Sequence, residues 1–125
     1  MNNKEKKLIS GEEFVSLLLT EKSKKDIFQE YQLSIDCLID YANTFTEHDW
    51  EQISAEQCLT EDFIRKFQDK VDWACIFDWQ ELSENFIREF EDKIFWDFLF
   101  ETQKLSNEFV REFKDKLKTE YGKDF

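Results

Sequence analysis

The sequence contains the stretch Leu82-Ser83-Glu84-Asn85-Phe86-Ile87-Arg88-Glu89-Phe90-Glu91-Asp92-Lys93-Ile94. Closely related stretches begin at Leu59 and at Leu105, so three copies follow one another at one constant interval. In every copy the apolar residues fall at offsets 0, 4, 5, 8 and 12, which is the stripe of an amphipathic helix. The second position holds a hydroxyl residue that can cap the helix N-terminus, namely Thr60, Ser83 or Ser106. This internal repeat predicts a helix of about 11 residues in each copy.

A second apolar motif follows the first at helical spacing. Trp73, Ile76 and Phe77 recur one repeat later as Trp96, Leu99 and Phe100, and Trp50 and Ile53 stand one repeat earlier. Asp49 and Asp72 each stand before a tryptophan, where an N-cap belongs. Each unit is therefore predicted to be a helix, a tight turn and a second helix of about 8 residues.

The repeat predicts one helical-repeat domain over residues 1–125. A degenerate N-terminal repeat covers 9–32, three repeats cover 33–58, 59–81 and 82–104, and a C-terminal capping helix covers 105–121. One short helix pair cannot bury its own apolar face, so we expect an all-α fold whose units stack as a small α-solenoid. A compact bundle of the same helices is the alternative. The sequence has no proline and only two glycines, which favours helices over tight β-turns.

Aromatic residues make up 17% of the chain, including 14 Phe, and are expected first as core because they bury much area per residue. Cys37, Cys58 and Cys75 have apolar neighbours and are expected as buried thiols. No apolar run approaches the roughly 20 residues of a membrane helix. The N-terminus lacks the pattern of a secretory signal. The expected location is the cytoplasm.

The negative charge is concentrated in one part of the chain. Residues 26–64 contain ten Asp or Glu and no Lys or Arg, so they carry −10 of a total of −12, whereas residues 1–25 carry +2 and residues 65–125 carry −4. One interpretation is a solvated face that keeps an aromatic-rich chain in solution. The other is a docking surface that mimics nucleic acid and blocks a basic, nucleic-acid-binding site on another protein.

The docking hypothesis assigns partner contacts to ten residues: Asp26, Glu30, Asp36, Asp40, Tyr41, Glu47, Asp49, Glu51, Glu56 and Trp79. Trp79 is included because the repeat has no aromatic residue at the equivalent positions, Glu56 and Thr102. Direct binding to DNA or RNA is not expected, because a net charge of −12 repels phosphates. No membrane partner is expected either.

The alternative function is a structural or scaffold protein that self-associates through exposed aromatics. Phe95, Trp96 and Phe98 crowd onto one predicted helix, which cannot point all of them at a single core face. We expect Phe95 or Phe98 to cover a neighbouring unit, to contact a second copy, or to form a patch for a partner, and a homodimer would form through these three residues.

The sequence offers no motif for catalysis, for a metal or for a cofactor. His48 is the only histidine, and no Cys/His cluster has zinc spacing. Gly-rich phosphate loops and nucleophile elbows are absent. We therefore expect no catalytic residue, no metal, no cofactor and no enzymatic activity.

The strings Leu82-Ser83-Glu84-Asn85-Phe86-Ile87-Arg88-Glu89-Phe90 and Asp69-Lys70-Val71-Asp72-Trp73 resemble a short helical repeat of uncharacterised phage, prophage and large-DNA-virus proteins. The resemblance covers residues 33–117 and carries no common catalytic motif. It implies a mobile-element setting, in which small acidic proteins inhibit host defence. By analogy it implies an anti-CRISPR-like inhibitor that acts on a CRISPR effector in the host cytoplasm.

Overall fold

The computed structural model describes residues 6–93 and 103–120, and in the second segment it describes side chains as far as residue 115. Most of these residues are helical, as the repeat predicts. The elements in chain order are β1 (Lys7–Ile9), α1 (Gly11–Leu18), α2 (Lys24–Glu30), β2 (Tyr31–Leu33), α3 (Ile35–Asp40), a 3-10 turn (Ala42–Thr44), α4 (Glu47–Glu56), α5 (Glu61–Lys66), α6 (Trp73–Trp79), α7 (Glu84–Glu89), a 3-10 turn (Glu91–Lys93) and α8 (Asn107–Glu120). No helix in these two segments has the length and apolar character needed to cross a bilayer.

Every unit begins with a hydroxyl residue that caps its first helix. The side-chain oxygens of Thr60, Ser83 and Ser106 each accept the backbone amide three residues later at 3.1 Å, which confirms the three predicted caps. Ser34 caps α3 at the same distance, 3.1 Å. Ser10 caps α1 and forms a capping box with Glu13. A cap of this kind stabilises a helix by about 1 kcal/mol.

In two of the three copies the first helix is shorter than the sequence predicts, whereas α8 in the third copy has 14 residues. α5 and α7 have 6 residues each, because the chain leaves helical geometry at Phe67 and Phe90. The turn at Phe67 places its ring 4.8 Å from Phe63 and 5.4 Å from Trp50, measured between ring centroids. Phe90 packs in the same way, 4.7 Å from Phe86 and 4.9 Å from Trp73.

A two-stranded parallel sheet at the N-terminal end is the one departure from the predicted all-α fold among the described residues. β1 pairs with β2 so that Ile9 lies opposite Leu33, and the Ser34 amide donates to the Ile9 carbonyl at 3.0 Å. Ile9 and Leu33 are the residues that precede the caps of their units. Downstream, the equivalent amides donate to carboxylates instead, in the pairs Ser83 to Glu61 (2.7 Å) and Ser106 to Glu84 (2.6 Å). In the downstream units a glutamate carboxylate therefore accepts the amide of the cap residue, whereas between the first two units a backbone carbonyl of the sheet accepts it.

The repeated phenylalanines form the core. Phe63, Phe86 and Phe109 are 2%, 0% and 0% exposed, as the apolar stripe predicts. The isoleucines that follow two of them, Ile64 and Ile87, are fully buried as well.

The unit over 33–58 differs from the others at the start of its second helix. Asp72 caps α6 as predicted, but Asp49 does not cap α4. This unit has three extra residues, which lengthen α4 by almost one turn, so its cap is Thr46. Asp49 becomes the third residue of the helix and completes a capping box with Thr46.

Three glutamines that recur at the repeat interval fasten each unit to the one before it, and we call them the glutamine clamps. The Gln80 Nε2 donates to the carbonyls of Ser54 and Gln57 at 2.9 and 2.6 Å, and its Oε1 accepts the Leu59 amide at 3.1 Å. The other two repeat this pattern, Gln57 with Phe28, Tyr31 and Leu33, and Gln103 with Phe77, Gln80 and Leu82. Each clamp satisfies carbonyls at the end of the preceding second helix, which that helix cannot pair itself.

Candidate protein-docking face

Five of the ten predicted docking residues are exposed carboxylates. They are Asp26, Asp36, Asp40, Glu47 and Glu51. Within the part of the chain that the structure describes, no Lys or Arg nitrogen lies within 4.0 Å of any of them. Glu51 has the His48 Nδ1 at 3.7 Å, a contact that is an ion pair only when the imidazole is protonated. These five carboxylates therefore present negative charge to solvent, and we call them the open carboxylates.

Three other predicted docking carboxylates form ion pairs within the same chain. Glu30 accepts a hydrogen bond from Lys22 at 2.5 Å, although both side chains are on the surface. Glu56 is half-buried and lies 3.6 Å from the Lys6 ammonium. Asp49 is only 5% exposed, so its assignment to a docking surface is wrong.

Asp49 belongs to the interior for a structural reason. Its carboxylate accepts hydrogen bonds from the Lys24 ammonium at 2.6 Å and from the Thr46 amide at 3.0 Å. These two bonds join the start of α2 to the start of α4. Burial raises the pKa of this carboxyl, but the hydrogen bonds from Lys24 and Thr46 outweigh burial and hold the pKa below its ordinary value. The negative charge of Asp49 is therefore paired within the molecule and is not exposed to a partner.

The two aromatic residues assigned to the docking surface have different environments. Tyr41 is half-buried and makes an edge contact with Phe14, with ring centroids 5.5 Å apart. Trp79, at the end of α6, is 42% exposed. Phe95, Trp96 and Phe98, which were predicted to form a homodimer contact, lie outside the described residues.

Carboxylates of the downstream units are held by arginines in a pattern that we call the arginine ladder. Arg65 donates to Asp62 in its own helix at 2.9 Å and to Glu89 in the next unit at 3.0 Å. Arg88 repeats this with Asn85 at 3.1 Å and Glu112 at 3.0 Å. The guanidinium groups also lie over the rings of Phe86 and Phe109, 5.2 and 5.0 Å from the centroids. Glu61 also lies 3.9 Å from Arg65, and both Glu61 and Glu84 accept hydrogen bonds from the next cap serine.

The upstream units expose apolar side chains that the sequence analysis did not single out. On α1, Val15, Leu18 and Leu19 are 36%, 38% and 83% exposed, and their spacing puts them on one side of the helix. Ile39 on α3 is 37% exposed. Counting from the helix caps would have revealed two of these residues, because Val15 and Ile39 stand five residues after their caps, where the downstream units have Arg65 and Arg88. The open carboxylates thus share the upstream surface with exposed aliphatic groups.

A groove beside Glu47 has a volume of about 410 Å³. Its lining includes Phe45, Glu47, Trp50, Asp69 and Lys70. The groove combines an aromatic wall with charges of both signs, so it can receive a side chain with an apolar stem and a polar end.

The three thiols have different accessibility. Cys37 is buried and Cys75 half-buried, but Cys58 is exposed, contrary to the expectation of three buried thiols. Burial raises the pKa of the Cys37 thiol to about 11. Burial and the neighbouring Asp72 raise the pKa of Cys75 to about 11 as well. Neither of these two thiols is activated as a nucleophile at neutral pH. Within residues 6–93 and 103–120, no group of three His, Cys, Asp or Glu side chains is arranged to hold a metal ion.

Comparisons of the chain with protein-family models, with characterised proteins and with solved structures find no match. The interpretation of the surface therefore rests on the geometry above.

Proposed function

We propose that this chain is a non-enzymatic protein-binding module whose open carboxylates dock on a basic site of another protein. The observation that carries this proposal is a group of open carboxylates in a stretch of chain without cations. Five exposed carboxylates between residues 26 and 51 have no Lys or Arg within 4.0 Å among the described residues. Residues 26–64 contain no Lys or Arg, whereas residues 65–125 carry charges of both signs. A surface that served solubility alone would gain from the same mixed charge.

We further propose that the helical units stack as a short α-solenoid. The recurrence of the glutamine clamps at the repeat interval supports this arrangement, because each unit uses the same contacts to join its neighbour. α2 packs against α4 and α4 against α6, so second helices contact second helices along the chain. A compact bundle would not require contacts that repeat with the sequence.

The partner that fits this surface is a protein with a cluster of lysines and arginines, such as a nucleic-acid-binding protein. Carboxylates can occupy cationic sites that otherwise hold phosphates, and opposite fields accelerate the encounter. The resemblance to repeats of phage and large-DNA-virus proteins supports a narrower proposal, an anti-CRISPR-like inhibitor of host defence that acts in the host cytoplasm. Its partner would then be a CRISPR effector.

This proposal can be tested by displacement of labelled target DNA from a purified CRISPR effector, measured by fluorescence anisotropy. We expect the unaltered chain to displace DNA and to lose potency steeply as salt rises, because screening weakens exposed charges. Reversal of four open carboxylates (Asp36→Lys, Asp40→Lys, Glu47→Lys and Glu51→Lys) should abolish displacement.

The matched control reverses four exposed carboxylates outside residues 26–64: Glu21→Lys, Asp78→Lys, Glu81→Lys and Asp92→Lys. It changes the net charge equally and should retain most of the activity. Displacement that survives the first reversal would contradict the docking surface. Failure of the unaltered chain to displace DNA would contradict the inhibitor.

A second candidate function is self-association as a scaffold protein, and the 42% exposure of Trp79 favours it. Such association should persist or strengthen at high salt, unlike electrostatic docking. Sedimentation velocity of the unaltered chain and of Trp79→Ala across a salt series separates the two functions.

A further inference from the structure

The arginine ladder is interrupted in the two upstream units, although a carboxylate is kept at three of its four acceptor positions. In the downstream units an arginine lies five residues after the helix cap. It donates to the polar residue two positions after its own cap and to the glutamate six positions after the cap of the next unit. These pairs are Arg65 with Asp62 and Glu89, and Arg88 with Asn85 and Glu112. Upstream, the position two after the Ser34 cap is Asp36, and the position six after it is Asp40. The arginine positions themselves hold Val15 and Ile39. Three of the four acceptor positions hold a carboxylate (Glu12, Asp36 and Asp40), the position six after the Thr60 cap holds Lys66, and both arginines are missing.

Exposure makes the interrupted ladder a surface of mixed character. Val15 and Ile39 are 36% and 37% exposed, and α1 packs beside α3. Asp36 and Asp40 have no Lys or Arg nitrogen within 4.0 Å in the described segments. An aliphatic side chain in place of an arginine exposes apolar area and leaves a carboxylate without its cation, so it brings the isolated chain no gain in stability.

We propose that this open ladder (Val15, Asp36, Ile39 and Asp40) binds arginine side chains of a partner protein. The inference deepens the proposed function and rests on it. A guanidinium can donate two parallel hydrogen bonds to a carboxylate, and the methylene stem of arginine packs on aliphatic groups such as those of Val15 and Ile39. The downstream units already hold guanidinium groups at the equivalent carboxylates, which shows that this stacked geometry accommodates arginine.

Charge identifies the occupant as a foreign basic protein and not as a second copy of the chain. Two of the three arginines, Arg65 and Arg88, are engaged by Glu89 and Glu112 in their own molecule, and the third, Arg111, is exposed. The case against a second copy therefore rests on net charge. Two copies, each with a net charge of −12, would repel each other. A partner whose surface presents exposed arginines does not meet this obstacle.

The test measures binding of two labelled peptides of equal length, an oligo-arginine and an oligo-lysine, by fluorescence anisotropy. We expect the unaltered chain to bind the arginine peptide about tenfold more tightly, because lysine cannot form the bidentate contact. The double variant Val15→Arg with Ile39→Arg (the ladder variant) places an internal guanidinium beside Asp40 and beside Asp36, and should weaken binding of the arginine peptide about tenfold.

The matched control adds the same charge elsewhere, with Gln29→Arg and Ala74→Arg at exposed positions of α2 and α6. It should weaken binding at most about threefold. A further variant, Asp36→Asn with Asp40→Asn, removes the acceptors without adding bulk and should match the ladder variant. Thermal unfolding followed by circular dichroism checks that all variants remain folded.

Three results would overturn the inference, and they differ in what they leave standing. Equal binding of the two peptides, or equal weakening by the ladder variant and its control, removes the arginine site but leaves the acidic docking surface. Dimers in sedimentation that the ladder variant dissociates would identify a second copy as the occupant. Peptide binding that survives the four-residue charge reversal would contradict the proposed function itself.

Discussion

The two upstream units and the units that follow solve the same packing problem with different contacts. Upstream, β1 pairs with β2 through the backbone, and Asp49 is buried against Lys24. Downstream, Glu61 and Glu84 bind the next cap serine, and Arg65 and Arg88 bind carboxylates of the next unit. The glutamine clamps are common to both regions.

This difference separates the contacts that hold units together from those that shape the surface. Backbone pairing joins the first two units without an arginine, so Asp36 and Asp40 remain open. In the downstream units Arg65 and Arg88 pair with Glu89 and Glu112 of the next unit. An exposed ion pair contributes little stability, so either arrangement is compatible with folding, and the choice affects binding more than stability.

The largest loss of stability should come from removing Gln80, the glutamine clamp that joins the upstream and downstream units. Gln80→Ala would leave the Leu59 amide and the carbonyls of Ser54 and Gln57 without their partner in a buried site. We expect the free energy of unfolding to fall by about 3 to 5 kcal/mol, because each buried unpaired group costs about 1 to 3 kcal/mol. Urea unfolding measures this change.

The control for this prediction is Gln29→Ala, which truncates an exposed glutamine of α2. It should change the free energy of unfolding by less than about 0.5 kcal/mol. Equal losses in both variants would show that the clamp contributes no more than an ordinary surface amide.

A smaller effect should come from the buried ion pair that is special to the upstream region. Asp49→Asn should cost about 2 kcal/mol near neutral pH, because the carboxylate accepts charge-assisted hydrogen bonds from Lys24. The pKa of Asp49 is lowered in the folded state, so this contribution is fully present above the unfolded value of about 3.9 and is lost as pH falls through the folded pKa.

The measurement is urea unfolding of the unaltered chain and of Asp49→Asn between neutral pH and about pH 3. The difference between the two proteins should stay constant down to about pH 5 and shrink below about pH 4. A difference that does not depend on pH would mean that the charge of Asp49 contributes nothing to stability.

The smallest effect should come from making a downstream unit resemble an upstream one. Arg65→Ile copies Ile39 into α5 and frees Asp62 and Glu89. We expect a loss of about 1 kcal/mol or less, since the pairs are exposed and the contact with Phe86 is a cation–π interaction at the surface. The loss should shrink further at high salt.

The same variant sharpens the comparison, because it should create a second open ladder that binds the oligo-arginine peptide. Peptide stoichiometry from titration calorimetry would show this. An unchanged stoichiometry would mean that removing the arginine of a unit is not enough to create a binding site for the peptide.

Much of the architecture followed from local sequence patterns. The starts of the units, the buried phenylalanines and the caps at Thr60, Ser83 and Ser106 were predicted because a cap and an apolar stripe act within a few residues. The end of α5 at Phe67 was not, since it depends on packing against Trp50 from the preceding unit. The clamp glutamines recur at the repeat interval, but a polar residue in a repeat is not recognised as buried until the neighbouring unit is in place.

The exposure of the proposed docking residues was predicted only in part. Asp36 and Asp40 are exposed as expected, whereas Asp49 shares the acidic stretch but lies in the interior. Sequence distance along the stretch does not distinguish them, because burial of Asp49 depends on Lys24, which is 25 residues away.

The sequence by itself determined the repeating unit, its caps and its apolar face, because these depend on the helical period and on contacts within one turn. Only the tertiary structure decided which carboxylates remain open, which glutamines clamp, and where the arginine ladder is interrupted. Those features join residues more than 20 positions apart, and their pairing is set by the register in which one unit packs on the next.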